Sequence, residues 1–267
     1  MTIGGKGESV VIDRLRVTFD IEKTISSDPN PATFQIYNLS PSNRNLISSG
    51  EYDRIQFDGG YEGAVLTLFI GWIDTVENRV QGDDRITVLT CGDGQKDYRE
   101  SRTCTTIAKG ATDEDVVKEV LKNMPNTGAG VQDIPNKKQL PRGKTVVGDS
   151  RNILSKVAKN QNADWSIQDG ELLVLPKDKA LSNNEGFLIS AETGMIGSPR
   201  KASDGLEVEC YLNNLMKIGQ LCRIKSIIDE YSGDYKITKI VMRGDYRSND
   251  WKNILTVEGG EFAKVGS

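Results

Sequence analysis

The stretch "SVVIDRLRVTFDIEKT", residues 9–24, sets Leu15, Val17, Phe19 and Ile21 at every second position. Strict period-two alternation puts that apolar row on one face of a β-strand, turned to a core. Working outward, "ATFQIYNLSPSNRNLISSG" (residues 32–50) alternates Phe34, Ile36 and Tyr37 before Asn-Leu-Ser-Pro breaks the strand. A short polar helix carrying Leu46 and Ile47 is expected next, ended by Gly50. "RIQFDGGYEGAVLTLFIGWIDTVENRV" predicts two strands around Gly59-Gly60, and "RITVLTCGDG" one more before a turn at Gly92-Asp93-Gly94. Several short strands at this spacing predict a sandwich or small barrel. "IGGKGES" at residues 3–9 lacks the P-loop spacing and precedes the first strand, so it is expected to be a floppy N-terminal arm.

The middle of the chain changes period. In "TDEDVVKEVLKNMP", Thr112 and Asp115 form a capping box, and Asp113 and Glu114 add negative charge where the helix dipole favours it. Val116, Val117, Val120, Leu121 and Met124 share a helical face, and Pro125 stops the run. Residues 126–148 are expected to be a loop of Gly, Asn, Pro and Lys. A second helix near Asp149 or Ser150 buries Ile153, Leu154, Val157 and Ala158, and "DWSIQDGELLVLP" follows as a hairpin turning on Asp169-Gly170.

From about residue 187 the β character returns in "GLEVECYL", "QLCRIKSI" and a long hairpin over 229–260, with a turn at Ser232-Gly233-Asp234 and a polar loop at 244–250. Residues 69–94 and 235–260 have the same length. Each has an apolar strand, a polar loop with acidic residues and a second apolar strand ending in Gly, which makes a weak internal repeat. The expected fold is α+β, mainly β. Two antiparallel β-barrel or sandwich domains, at 1–102 and 181–267, flank an α/β module of two helices and a hairpin at 103–180.

Composition narrows the chemistry. The chain has 267 residues, enough to bury a core without disulfides, and no histidine, which removes the commonest general base and metal ligand. With 34 basic and 38 acidic residues and no long basic run, tight binding of a nucleic-acid backbone is not expected. Cys91, Cys104, Cys210 and Cys222 include no C-x-x-C pair, which points to free thiols in a reduced compartment. No signal peptide and no apolar run of about 20 residues is present, so a soluble chain made in a cytoplasm is expected. Arg243-Gly244-Asp245 spells an adhesion tripeptide, but a strand terminus explains it; Asn38-Leu39-Ser40 matches a glycosylation acceptor without any sign of secretion. Asp83, Asp84 and Asp93 are turn formers outside any EF-hand register, and Trp72, Trp165 and Trp251 are too scattered to form a binding platform. No catalytic, cofactor-binding or metal-binding residue is assigned.

In order along the chain, "FQIYNLSPSNRNLI", "IQFDGGYEG", "LFIGWID", "TVLTCGDG", "ILSKVAKNQ", "ADWSIQDGELLVLP", "TGMIGSPRKASDGLEVECYLNNLMKIGQLCRIKS" and "GDYRSNDWKNIL" resemble segments of baseplate hub proteins of contractile-tailed bacteriophages and phage-tail-like bacteriocins. The resemblance covers nearly the whole chain; Asn214 and Lys217 stand where prolines are usual, and Arg243 where a histidine is. It implies a non-enzymatic structural protein of the virion tail, assembled in the bacterial host cytoplasm. It further implies a homotrimer whose six tail-tube-like domains form a pseudo-sixfold ring. That ring would join the sixfold tail tube protein to the threefold central spike protein. The tape-measure protein and other baseplate subunits would be neighbours, DNA would pass without specific binding during ejection, and the membrane would not be entered. Other readings are a tube-initiating component, present in six copies instead of three, a hub-fused cell-wall hydrolase, and a cell-surface binding module resting on Arg243-Gly244-Asp245.

Overall fold

The computed structural model describes residues 1–5, 7–181, 186–248 and 250–265. The leading segment holds β1 (Thr2–Gly5), β2 (Glu8–Val11), β3 (Val17–Thr24), β4 (Pro31–Tyr37), α1 (Pro41–Ser48), β5 (Arg54–Tyr61), β6 (Ala64–Gln81) and β7 (Asp84–Gly92). The middle holds α2 (Gln95–Glu100), β8 (Arg102–Ile107), α3 (Asp113–Leu121), β9 (Lys144–Asp149), α4 (Ser150–Asn160), β10 (Ala163–Gln168), β11 (Glu171–Pro176) and β12 (Lys179–Ala180). The trailing segment holds β13 (Phe187–Ile189), β14 (Met195–Ala202), β15 (Gly205–Tyr211), β16 (Leu221–Ile224), β17 (Gly233–Asp245), β18 (Trp251–Gly259) and β19 (Ala263–Lys264). These elements divide into two compact units.

The first unit is Met1–Thr24, Asn30–Asp93 and Glu185–Gly260. Its strands form one sheet of mainly antiparallel pairs, with the path β14-β15-β18-β17-β3-β4-β7-β6-β5-β1-β2; β16 pairs with β17 and, in parallel, with β13. The alternation over Val17–Thr24 is realised: Val17, Phe19 and Ile21 are buried, and Thr18, Asp20 and Glu22 are only half so. β6 is 18 residues long and changes partner along its length. Its first part pairs with β5 and its second with β7, with a bulge between Ile73 and Thr75. The bulge bends the strand. Phe57 of β5 thereby meets Phe19 and Phe34 at ring-centroid distances of 4.9 and 5.0 Å, so the sheet closes over its own apolar face.

The two halves of this unit have the same wiring. In the leading half the order is β5-β6-β7-β4-β3; in the trailing half it is β16-β17-β18-β15-β14, with every neighbour antiparallel in both. Each long strand bulges where it leaves its first partner, between Ile73 and Thr75 in β6 and between Ile237 and Lys239 in β17. One cross-strand row corresponds residue by residue, although β14 carries an irregularity between Ile196 and Arg200 that β3 lacks. Asp20–Thr33–Thr90–Thr75 in one half matches Arg200–Glu207–Thr256–Lys239 in the other. In the letters the resemblance covers one hairpin in each half, residues 69–94 and 235–260; pairing shows that the likeness runs through five strands.

Four expectations need correction. Residues 3–9 are not a floppy arm: β1 and β2 form a hairpin that pairs with β5 and buries Ile3, although Lys6 lies outside the described residues. Gly4 and Gly5 permit it, because a Cβ there would stand 2.6 Å from the Glu8 carbonyl and 2.2 Å from that of Glu51. The turn between β5 and β6 is at Glu62-Gly63, with Gly63 at φ 81°, and Gly59 and Gly60 lie within β5. The connection before β17 spans 225–232, since Gly233 and Asp234 already pair with Ile224 and Arg223. Within 126–148, residues 144–148 belong to β9, which pairs with β8; only Val146 of that strand is buried, too little for a pattern to show.

The second unit is Ile25–Pro29, Gly94–Asn184 and Glu261–Ser267. α3 and α4 pack against β10 and β11 around Val117, Val120, Leu154, Ile167 and Leu172. Burying each such side chain contributes about 1.5–3 kcal/mol. The Asp115 carboxylate accepts hydrogen bonds from the Thr112 N–H at 2.8 Å and its Oγ at 3.0 Å, closing the α3 cap. Asp169 and Gly170 take φ values of 53° and 83°, as the two-residue turn between β10 and β11 requires. α2 is a short helix whose six residues carry no apolar period in the sequence.

Candidate assembly surfaces

Among the described residues no three His, Cys, Asp or Glu side chains cluster in a way that could hold a metal ion. The buried carboxylate of Asp97 accepts from the Asn126 N–H and Nδ2 and from the Thr127 hydroxyl, at 2.6–3.0 Å, which ties a loop down. Trp165 stacks on Tyr98 in the second core at 5.3 Å, and Trp251 donates its indole N–H to the Asp245 carbonyl at 2.9 Å. Trp72 lies beneath the Arg54 guanidinium at 5.6 Å. Cys91, Cys210 and Cys222 are buried and unpaired, and Cys104 is exposed. Burial raises all three buried thiols, Cys210 and Cys222 to about 12.

Arg243, Gly244 and Asp245 end β17 inside the sheet. Arg243 Nε donates to Asp20 at 2.6 Å, and Arg16 pairs with Asp245 at 2.7 Å. The Arg16 hydrogen bond holds the Asp245 carboxyl below its ordinary range. A Cβ at Gly244 would stand 2.6 Å from the Phe19 ring. The tripeptide is therefore committed to pairing with β3 and is not displayed as a loop.

That pairing is the seam between the two halves. The strands run antiparallel, from Lys239↔Thr24 to Asp245↔Thr18. Its polar face carries Lys239–Glu22 at 2.8 Å as well as the Arg243–Asp20 and Arg16–Asp245 pairs. Further along the same face, Arg200 reaches Glu207 and Glu209 at 2.6 and 2.9 Å, and Lys252 reaches Glu209 at 3.2 Å. Arg79 donates to Gln35 at 2.8 Å. Basic and acidic groups alternate on this face and neutralise one another locally. The seam was missed in the sequence because its partners lie more than 200 positions apart, at Arg16 and Asp245 or Asp20 and Arg243.

Two edges contrast with the seam. β14 ends the sheet and pairs only with β15 among the described residues. Thr75–Gln81 of β6 pairs with β7 alone, since β5 leaves the other edge at Trp72. Both edges are largely exposed; Val80 is 73% and Ile196 38% accessible. Bare edges of this length invite pairing with another chain.

Comparison with known proteins gives the fold a context. The structure is similar to the 43 kDa tail protein of prophage MuSo2 from Shewanella oneidensis, with TM-score 0.66, 9% identity, and 96% of this chain and 95% of that one covered. It is also similar to the tail protein from Neisseria meningitidis MC58, with TM-score 0.68, 12% identity, and coverage of 99% and 98%. A third likeness is to the E. coli c3393 protein, a component of the type VI secretion system with structural similarity to the T4 bacteriophage tail proteins gp27 and gp5. There the TM-score is 0.63, the identity 10%, and the coverage 100% of this chain and 80% of that one. No curated protein matches the chain in sequence. The family described as "Baseplate hub gp41" matches residues 1–257, and the chain belongs to that family.

Proposed function

We propose that this structural baseplate protein acts as a trimeric ring. Each chain supplies two tail-tube-like domains, built on the β segments of 1–102 and 181–267, with the module at 103–180 appended. Three chains present six equivalent β-domains, so a threefold object offers a pseudo-sixfold face to a tail tube and a threefold face to a central spike. The observation that carries this reading is the repeated five-strand order, β5-β6-β7-β4-β3 and β16-β17-β18-β15-β14. The mutually neutralised polar face supports a channel wall past which DNA slides without being held. The likeness to c3393, itself similar to two T4 tail proteins, supports a place among spike and tube components.

Averaged images of assembled tail tips test the reading. Three copies in one ring between tube and spike are expected; six copies, or a position without threefold order, would overturn it. The protein is proposed to have no enzymatic role, and release of soluble fragments from peptidoglycan by the purified chain would refute that.

A further inference from the structure

The second unit leaves one strand edge uncovered beside a slot. Its strand β11 is flanked by its own chain: residues 128–133 run parallel to it, bridging Gly128 to Glu171 and Gln132 to Val174. The Val174 N–H donates to the Val131 carbonyl there at 2.9 Å. β9 receives no such cover and pairs only with β8 among the described residues. The Ser150 N–H donates to the Ser101 carbonyl at 2.9 Å, so the bonded pairs continue at Thr103–Gly148, Thr105–Val146 and Ile107–Lys144. Thr145 and Val147 therefore turn their N–H and C=O groups to the outer edge. A slot of about 130 Å³ lies along that edge. Four consecutive β9 residues, Lys144–Val147, line it and none of β8 does, which places it on the side away from β8.

Helices supply the opposite wall. Val116 of α3 and Ile153 and Val157 of α4, with Leu140, give the slot an apolar floor. A strand edge facing a helix across an apolar slot suits an extended peptide: main-chain bonds supply affinity, and the pocket selects a side chain. An apolar cavity of about 150 Å³ holds a benzene-sized group, so this slot has room for one Leu- or Phe-sized side chain. Charge narrows the occupant further. Lys144 and Lys156 line the slot at exposed positions, and neither has an ion-pair partner among the described residues. Asp113, at the same slot, already accepts from the Gln161 amide at 2.8 Å. We infer that the outer edge of β9 takes an extended segment of another protein as an added strand. One apolar side chain of that segment enters the slot, and a carboxylate faces Lys144 and Lys156. The occupant is thus an acidic, apolar peptide, and its binding does not depend on the ring reading above.

Peptide selection against the full chain tests this. A library of random peptides is panned on the parent, and enriched sequences are synthesised with a fluorescent label and titrated by anisotropy. The expected consensus joins an aliphatic or aromatic residue to Asp or Glu. Val147→Pro removes one outward N–H at an exposed edge position and leaves the ladder to β8 in place. It should weaken binding at least about tenfold. Lys144→Glu with Lys156→Glu, both at exposed positions, should weaken binding by about the same factor and turn the selected consensus to Lys or Arg. Circular dichroism and melting establish that each variant folds like the parent; where the proline variant does not, the charge-reversed pair decides alone. No enrichment, a consensus without acidic residues, or affinity unmoved by these substitutions would overturn the proposal. Dimers of the chain itself that Val147→Pro dissolves would also overturn it, since the edge would then belong to a second copy. Copy number in assembled tails judges the ring separately.

Discussion

At the scale of single residues, the structure assigns sharply different roles to letters that look alike. Gly244 tolerates no side chain, since a Cβ would meet the Phe19 ring at 2.6 Å and Trp251 at 3.2 Å. Gly244→Ala is expected to cost about 1–3 kcal/mol by overpacking, read as a lower urea midpoint. Asp245 next to it depends on pH. Arg16 lowers its carboxyl pKa, so its contribution is complete above the ordinary aspartate value and is lost as pH falls through the lower folded value. The stability margin of the parent over Arg16→Ala should therefore shrink as pH is lowered from about 5 to about 2. An unchanged margin would mean that the ion pair contributes nothing. The cysteines divide in the same way. Cys104 should react with a thiol reagent within minutes at neutral pH, while buried Cys91, Cys210 and Cys222 react only on unfolding. Two modified thiols in the native protein would contradict the packing.

At the scale of elements, legibility followed the strength of local periodicity. α3 and α4 were readable because four apolar residues in each repeat at helical spacing, and because Thr112 and Asp115 announce a cap; Met124 lies past the end of α3. Replacing Asp115 by Ala removes the acceptor for two donors of Thr112 and should destabilise the second unit by about 1 kcal/mol. Asp115→Asn retains an acceptor and should lose less, by comparison of melting curves. β3, β4 and the β10–β11 turn were equally readable, the last from Asp169-Gly170 alone. What stayed hidden was structure whose stability comes from distant partners. β1 is four residues of Thr, Ile and Gly that become a strand only when Arg54–Gln56 lies alongside. β9 buries only Val146 and is held by its ladder to β8. The bare edges of β6 and β14 were illegible for the opposite reason, since a missing partner leaves no mark on composition. Two glycines in "FDGGYEG" attracted the turn to Gly59-Gly60, but the positive φ that the turn needs falls at Gly63.

At the scale of the whole chain, the net charge of −4 says less than its arrangement. On the polar face of the sheet, Lys239, Arg243, Arg200 and Lys252 are each paired with Glu22, Asp20, Glu207 or Glu209. A paired cation offers little to a phosphate, because binding DNA would first require giving up its carboxylate. The intact protein is therefore expected to show no measurable affinity for duplex DNA at about 0.15 M salt, where charges are screened beyond about 8 Å. Asp20→Asn, Glu22→Gln, Glu207→Gln and Glu209→Gln together remove four negative charges, taking the net charge from −4 to 0, and free all four cations without adding one. That variant should acquire DNA affinity whose logarithm falls with log salt at a slope of about −3 to −4, as expected for about four phosphate contacts. If it binds no better than the parent, the cations do not form a surface a duplex can reach, and the face is not a channel wall. If the parent already binds with that slope, carboxylate pairing does not keep this face from holding a phosphate backbone, and the channel-wall reading proposed above loses its support.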